Sequence, residues 1–215
     1  MLDLRDPVVD FALRAFVTVF VVVDPAGLVP AYLALVAGRS PATAANVAAR
    51  AVVIAGVVLA LFAVGGGPLL SYLGIGLGAL QVAGGILLFR IAVDMVFAQL
   101  RRETPAEAAE ARGREDISVF PLAIPLIAGP GALASVLILT TQANGDPGRS
   151  GVVLVAVAAV LAIAYGFLRV SGRLERILGK TGINVVTRVL GLVLAAMAVQ
   201  YVVDGLFALG VVPSR

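Results

Sequence analysis

Long apolar stretches separated by short polar connections occupy nearly the whole chain. Most of these stretches approach or exceed the roughly 20 residues that an α-helix needs to cross a bilayer. The pattern predicts an all-α polytopic membrane protein with six transmembrane helices. The predicted spans are about Val8–Ala37, Asn46–Val64, Leu77–Ala98, Val119–Thr141, Gly151–Val170 and Ile183–Leu209.

Two of these spans are interrupted by residues that break helices. Val21–Pro30 in span 1 reads VVVDPAGLVP, and Ile124–Ala134 in span 4 reads IPLIAGPGALA. Proline removes a backbone donor, and unsatisfied backbone groups in hydrocarbon cost several kcal/mol each. Broken helices at corresponding positions in two halves are typical of a transporter's binding site. We therefore predict broken helices in spans 1 and 4, with the site between the breaks.

Turn signals set the remaining boundaries. The apolar stretch Ala51–Ala98 is too long for one helix, so we predict that Gly65–Gly66–Gly67–Pro68 ends span 2 and that a hairpin turn lies within Gly65–Gly76. Ser40 is a candidate N-cap for span 2. Asn144–Gly148 predicts a tight turn between spans 4 and 5.

The two breaks also suggest an internal duplication. A shift of about 105 residues places Val22–Gly27 on Ile127–Ala132, and a shift of about 107 places Gln81-x-x-Gly84 on Arg188-x-x-Gly191. An odd number of spans in each half would invert the halves relative to one another. We predict a 3+3 inverted repeat, with residues 1–98 as the first three-helix repeat, 99–118 as a charged cytoplasmic linker and 119–215 as the second repeat.

Composition excludes several classes of function. The chain is 60% hydrophobic and 13% charged, whereas soluble domains carry roughly 25% charge. It has no histidine and no cysteine, which excludes Ser-His-Asp and Cys-His catalysis and Cys/His metal clusters. We expect no enzyme activity, since an intramembrane enzyme would require Asp24 and Asp94 to meet. We also expect no cofactor beyond a coupling proton or sodium ion.

Basic residues predict the orientation. Most of the 16 Lys and Arg residues lie near the connections between spans 1 and 2, 3 and 4, and 5 and 6. The positive-inside rule places these loops in the cytoplasm and both termini outside. The formal charge of +3 without an aromatic-interleaved basic stripe gives no sign of nucleic-acid binding. The Ala-, Val-, Gly- and Arg-rich composition suggests a GC-rich bacterial source, and we expect the lipid bilayer as partner.

Asp24 and the Gly129–Pro130–Gly131 sequence are the strongest candidates for function. A carboxylate inside a span is costly, so Asp24 either binds a coupling ion or substrate, or only caps the half-helix that follows it. The second break offers a helix N-terminus, which attracts a carboxylate. The alternative is a kink that fits neighbouring helices. Together the breaks would suit a zwitterion, with Asp24 and free carbonyls for its ammonium.

Four further polar residues could support the site. Arg90 and Asp94 lie four residues apart on span 3, where a structural ion pair within the bundle is the simpler interpretation. Gln81 and Gln200 could hydrogen-bond across helices or contact substrate.

These motifs resemble the MarC/SnatA family over essentially the whole chain. The resemblance rests on DPAGLVP in span 1, GGILLFRIAVDMV in span 3, LAIPLIAGPGA in span 4 and TRVLGLVLAAMAVQYVVDG in span 6. It implies a six-span inner-membrane protein of bacteria or archaea. Some members are described as transporters of small neutral amino acids, and many have no established substrate. The positions that match the family pattern are Asp24, Pro25, Gly27, Pro30, Pro125, Gly129, Pro130 and Gly131.

The leading hypothesis is therefore a secondary transporter of small neutral amino acids such as glycine and alanine. It would work by alternating access, with one inverted half rocking against the other about the two breaks. Coupling to protons or sodium would involve Asp24. The alternatives are an exporter of another small solute on the same scaffold and a non-transporting accessory membrane protein. Homo-oligomerisation is left open.

Overall fold

The computed structural model describes residues 7–97, 116–143 and 145–212, and these residues contain helices and no strand. Most of the predicted linker, residues 99–118, lies outside the described residues. A segment that we call the proline segment, Ser118–Ile127, precedes the second break. The α-helices are α1 (Pro7–Val23), α2 (Leu28–Leu35), α3 (Pro41–Tyr72), α4 (Leu77–Val96), α5 (Pro130–Gln142), α6 (Pro147–Arg169) and α7 (Ser171–Ala208).

The helices provide up to six membrane crossings. Four are single helices, and the other two are bent pairs: α1 with α2, at an angle of 44°, and the proline segment with α5, at 56°. The predicted all-helical, polytopic class is thus confirmed, and both bends fall in the spans predicted to be broken. The inverted relation between the halves stays a prediction.

The first break spans the residues between α1 and α2. Asp24 has φ of +46°, a left-handed conformation that residues other than glycine seldom adopt. Its amide still donates to the Phe20 carbonyl, so α1 continues normally up to this residue. The positive φ then redirects the chain, and α2 begins at Leu28.

The proline segment is not a regular α-helix. Its hydrogen bonds are widely spaced, as in the bond from the Leu122 amide to the Ile117 carbonyl. Phe120 and Ile124 adopt extended conformations, and each precedes a proline whose ring disfavours the helical region for the residue before it. The peptide bonds of both prolines are cis.

The prediction that Gly65–Pro68 breaks span 2 is wrong. Helix α3 continues through this sequence to Tyr72, and the turn to α4 lies after it, where Gly74 has φ of +68°. Gly66 packs directly under the Leu137 side chain, so its lack of a side chain allows helices to approach. Gly66 therefore acts as a packing position, whereas a Cβ atom on Gly65 or Gly67 would have no neighbour within 4 Å.

Helices α4 and α7 pack antiparallel with their backbones in close contact. A Cβ atom on Gly85 would lie 3.1 Å from the Val202 nitrogen, and one on Gly191 would lie 3.1 Å from the Val96 nitrogen. Gly191 lies 106 residues after Gly85, and Val202 lies 106 residues after Val96. Any two contacts of an antiparallel helix pair in register share one such offset, so the predicted duplication stays a prediction.

Local signals at helix ends were predicted more accurately. Ser40 caps α3 by accepting from the Thr43 amide over 3.2 Å. In the predicted turn after span 4, Gly145 has positive φ and Asp146 caps α6.

Helix α7 begins earlier than predicted and kinks at Gly179, so its spanning part is Thr181–Ala208.

Candidate functional site

The Asp24 side chain connects the first break to α7. Asp24 is fully buried. Its Oδ1 accepts a hydrogen bond from the Gly27 amide over 3.0 Å, and its Oδ2 accepts one from the Thr187 hydroxyl over 3.1 Å. Thr187 is also buried. The bond to Gly27 resembles a cap, although the helix begins only at Leu28, and the bond to Thr187 goes beyond a capping role.

Gly27 leaves the space that the Asp24 carboxylate occupies. A Cβ atom at this position would overlap the Asp24 carboxylate and lie 3.1 Å from the Thr187 hydroxyl oxygen. The Gly27 backbone has φ of −68° and ψ of −18°, which any residue can adopt. Glycine is therefore needed at position 27 because it has no side chain, and not because its backbone is flexible.

A cavity of about 210 Å³ lies beside the second break. We call it the break cavity. Residues of the first turn of α5 line it, and the amides of Gly131 and Ala132 in this turn have no acceptor within the helix. Gly129 precedes this turn without a side-chain cap. The residues that line the break cavity are Val22, Ile91, Asp94, Met95, Pro125, Leu126, Ile127, Gly129, Pro130, Gly131 and Ala132.

Two glycines shape this cavity. A Cβ atom on Gly129 would overlap the Pro125 carbonyl oxygen, so the turn between the proline segment and α5 requires glycine. A Cβ atom on Gly131 would lie 2.5 Å from Ile91 and 3.2 Å from Val22. The second contact brings α1, just before the first break, against the start of α5.

Asp94 supplies the negative charge of the break cavity. Its side chain is 35% exposed, and its Oδ2 lies 3.8 Å from the Arg90 Nε. The ion pair that we predicted is thus present, but the Arg90 side chain is 75% exposed and does not lie within the bundle. The cavity therefore combines a carboxylate with a helix N-terminus, which carries partial positive charge.

The structure divides the predicted site residues into separate groups. Asp94, Pro125, Gly129, Pro130 and Gly131 line the break cavity. Asp24, Pro25, Gly27 and Pro30 are not among its described lining residues. The first three are buried at the first break, and Pro30 lies half-buried in α2.

The two glutamines do not bond across helices as predicted. Gln200 is exposed and donates to Asp204 of its own helix over 2.6 Å. Gln81 is buried, and its Oε1 has no hydrogen-bond partner among the described residues. Thr187 and Val22 were not predicted as site residues. A threonine and a valine within apolar spans carry no sequence signal for such a role, since both commonly serve packing.

Comparisons with known proteins agree with the helical membrane architecture. The model of the MarC family of integral membrane proteins matches residues 9–209. The UPF0056 membrane protein YvbG of Bacillus subtilis (strain 168) is 37% identical over 91% of this chain and 94% of its own length. The UPF0056 membrane protein YhcE of Escherichia coli (strain K12) is 32% identical over 90% of each chain. No solved structure matches this chain.

Proposed function

Because this chain belongs to the MarC family of integral membrane proteins, with an uncapped helix start and a carboxylate in one small cavity, we propose that it is a secondary transporter of small neutral amino acids. The substrates would be of the glycine and alanine type. Access would alternate around the Asp24–Pro25 and Gly129–Pro130–Gly131 breaks, in a protein with no enzyme activity. The protein would lie in the plasma membrane with both termini outside.

The break cavity carries this proposal. A zwitterionic amino acid needs a donor-rich positive region for its carboxylate and a negative group for its ammonium. The Gly131 and Ala132 amides supply the first, because helix N-termini bind anions. Asp94 supplies the second from the same cavity. Sequence reasoning gave this ammonium role to Asp24, and the cavity lining favours Asp94.

The size of the cavity favours a small substrate. Pockets for drug-sized ligands usually measure roughly 300–1,000 Å³. The break cavity, at about 210 Å³, suits a solute of a few heavy atoms. Gly129 and Gly131 contribute no side-chain volume, and the close approach of Val22 and Ile91 to Gly131 limits further widening.

Coupling to protons or sodium belongs to Asp24 in this proposal. Its carboxylate holds the first break against α7 through Thr187, so a change in its charge or ligation acts on the position of that break. Val22, two residues earlier, reaches the break cavity, which provides a short mechanical connection between the two breaks.

Uptake of labelled glycine and alanine into proteoliposomes, under imposed proton or sodium gradients, tests the proposal. We expect gradient-dependent uptake that Asp94→Asn abolishes. Asp146→Asn is the matched control, since it makes the same chemical change at an exposed helix cap and keeps the capping oxygen. Absence of uptake under every gradient, from folded protein, would favour another solute or the accessory role. Normal uptake by Asp94→Asn would remove Asp94 from the substrate site.

A further inference from the structure

A second cavity, of about 470 Å³, lies between α1, α5 and α7. It carries charges of both signs, from Arg14 of α1 and Asp204 of α7, and hydrogen-bonding groups from Thr18, Gln142 and Tyr201. These groups have the chemistry that a zwitterion requires.

The second cavity and the break cavity lie along the same helix pair. On α1, Thr18 lines the second cavity and Val22 lines the break cavity. Four residues of α-helix rise by only about 6 Å. On α5, Leu139 lines the second cavity and Gly131 the break cavity. The contact of Val22 with Gly131 shows that α1 and α5 face one another where the break cavity ends.

Ser135 lies on α5 midway between the two cavities. It is four residues from both Gly131 and Leu139, so all three share one face of the helix. Ser135 is completely buried, and its hydroxyl has no hydrogen-bond partner among the described residues. The other hydroxyls near the end of this helix behave differently. Thr140 donates to the Val136 carbonyl over 2.9 Å, and Thr141 donates to the Leu137 carbonyl over 2.7 Å.

A buried hydroxyl without a partner is rare and calls for a physical explanation. Serine within a helix can donate to the carbonyl four residues earlier, as the two threonines of α5 do, and Ser135 does not. A ligand that passes between the cavities would meet this hydroxyl and supply the missing hydrogen bond.

We propose that the second cavity and the break cavity are the two ends of one route for the amino acid, and that Ser135 contacts the substrate between them. This inference rests on the proposed transport function, to which it adds a path and a contact residue. The route follows the interface of α1 and α5, where Val22 contacts Gly131.

The absence of cysteine from the chain allows a direct test, because any introduced thiol is the sole one present. Ser135→Cys and Val136→Cys would be reconstituted and treated with a charged, membrane-impermeant methanethiosulfonate. Val136 is the matched control, since it is equally buried and adjacent but lies on another face. We expect Ser135→Cys to react at least about tenfold faster, because only its position opens to water during transport. Glycine or alanine should slow that reaction.

Equal reaction rates at both positions, in protein that still transports glycine, would overturn the route and leave the proposed function standing. Fast labelling of Ser135→Cys that neither amino acid slows, in protein that takes up neither, would instead reject the substrate class and keep the route.

Ser135→Ala provides an independent measurement. The loss of an unpaired buried hydroxyl should leave thermal stability unchanged or raised. The route predicts that the KM for alanine rises severalfold in this variant. An unchanged KM with raised stability would indicate a purely structural position and contradict the contact.

Discussion

The Thr187 hydroxyl donates a hydrogen bond to the buried Asp24 carboxylate over 3.1 Å, across 163 residues of sequence. This bond connects the first break to the last spanning helix, and so to the opposite half of the chain. A buried carboxylate requires such donors, because its charge would otherwise be left without compensation for lost water.

Thr187→Val should destabilise the protein. The variant keeps the shape of the side chain and removes the donor, and the loss of a buried hydrogen bond costs about 1–3 kcal/mol. Thermal unfolding in detergent measures the change, with Thr187→Ser as the control that retains the hydroxyl. Equal melting temperatures for all three proteins would show that the bond contributes nothing to stability.

Asp24→Asn should keep the fold and lose gradient-driven uptake. The asparagine side chain retains an oxygen that can accept from the Gly27 amide, so the break can keep its local geometry. It removes the charge that coupling to a proton or sodium ion needs. Monodisperse elution together with uptake under a gradient measures both properties. A variant that still concentrates glycine as the wild type does would limit Asp24 to its structural bonds.

Gly27→Ala should be far more damaging than the same change at Gly65. The new methyl group at Gly27 would overlap the Asp24 carboxylate, whereas nothing lies within 4 Å of a Cβ atom at Gly65 of α3. Alanine in a helix interior is favoured over glycine by roughly 0.5–1 kcal/mol, so Gly65→Ala should stabilise. Melting temperatures of the two variants should therefore move in opposite directions. A shift in the same direction would contradict the packing at the first break.

Asp116 should make stability depend on acidic pH. The Ser118 hydroxyl hydrogen-bonds its carboxylate, and Arg50 lies 2.8 Å away, which together hold the pKa of Asp116 below its usual 3.8. A lowered pKa in the folded state contributes stability above the unfolded pKa, and this is lost as pH falls through the folded value. Asp116→Asn should therefore show a smaller loss of melting temperature than the wild type between about pH 5 and pH 2. Parallel curves would exclude this contribution.

The positions of the breaks could be predicted because proline, glycine and a buried acid stand out within apolar sequence. Asp24–Pro25 and Gly129–Pro130 both fall where the helices bend. The same rule failed at Gly65–Pro68, where α3 continues. The difference lies in tertiary packing, since Gly66 accommodates Leu137, and a single sequence does not show which helix will press against a glycine.

The composition of the site was harder to predict than its location. The i,i+4 spacing of Arg90 and Asp94 indicates an ion pair equally well on any helix face. Only the tertiary arrangement shows that Asp94 faces the break cavity while Arg90 is exposed. Thr187 likewise has no distinguishing neighbours in sequence, and its role follows from where α7 passes Asp24.

The glycine contacts between α4 and α7 restrict how such a protein can change shape. Gly85 and Gly191 bring the two backbones together at two places along the interface, and these helices belong to opposite halves of the chain. A rigid-body rotation of one half relative to the other would have to separate α4 from α7. Helices with such close backbone contacts also cannot slide or rotate against one another without collision. The interface therefore holds α4 and α7 in a fixed relation, and we expect a change of shape to move the segments at the two breaks instead.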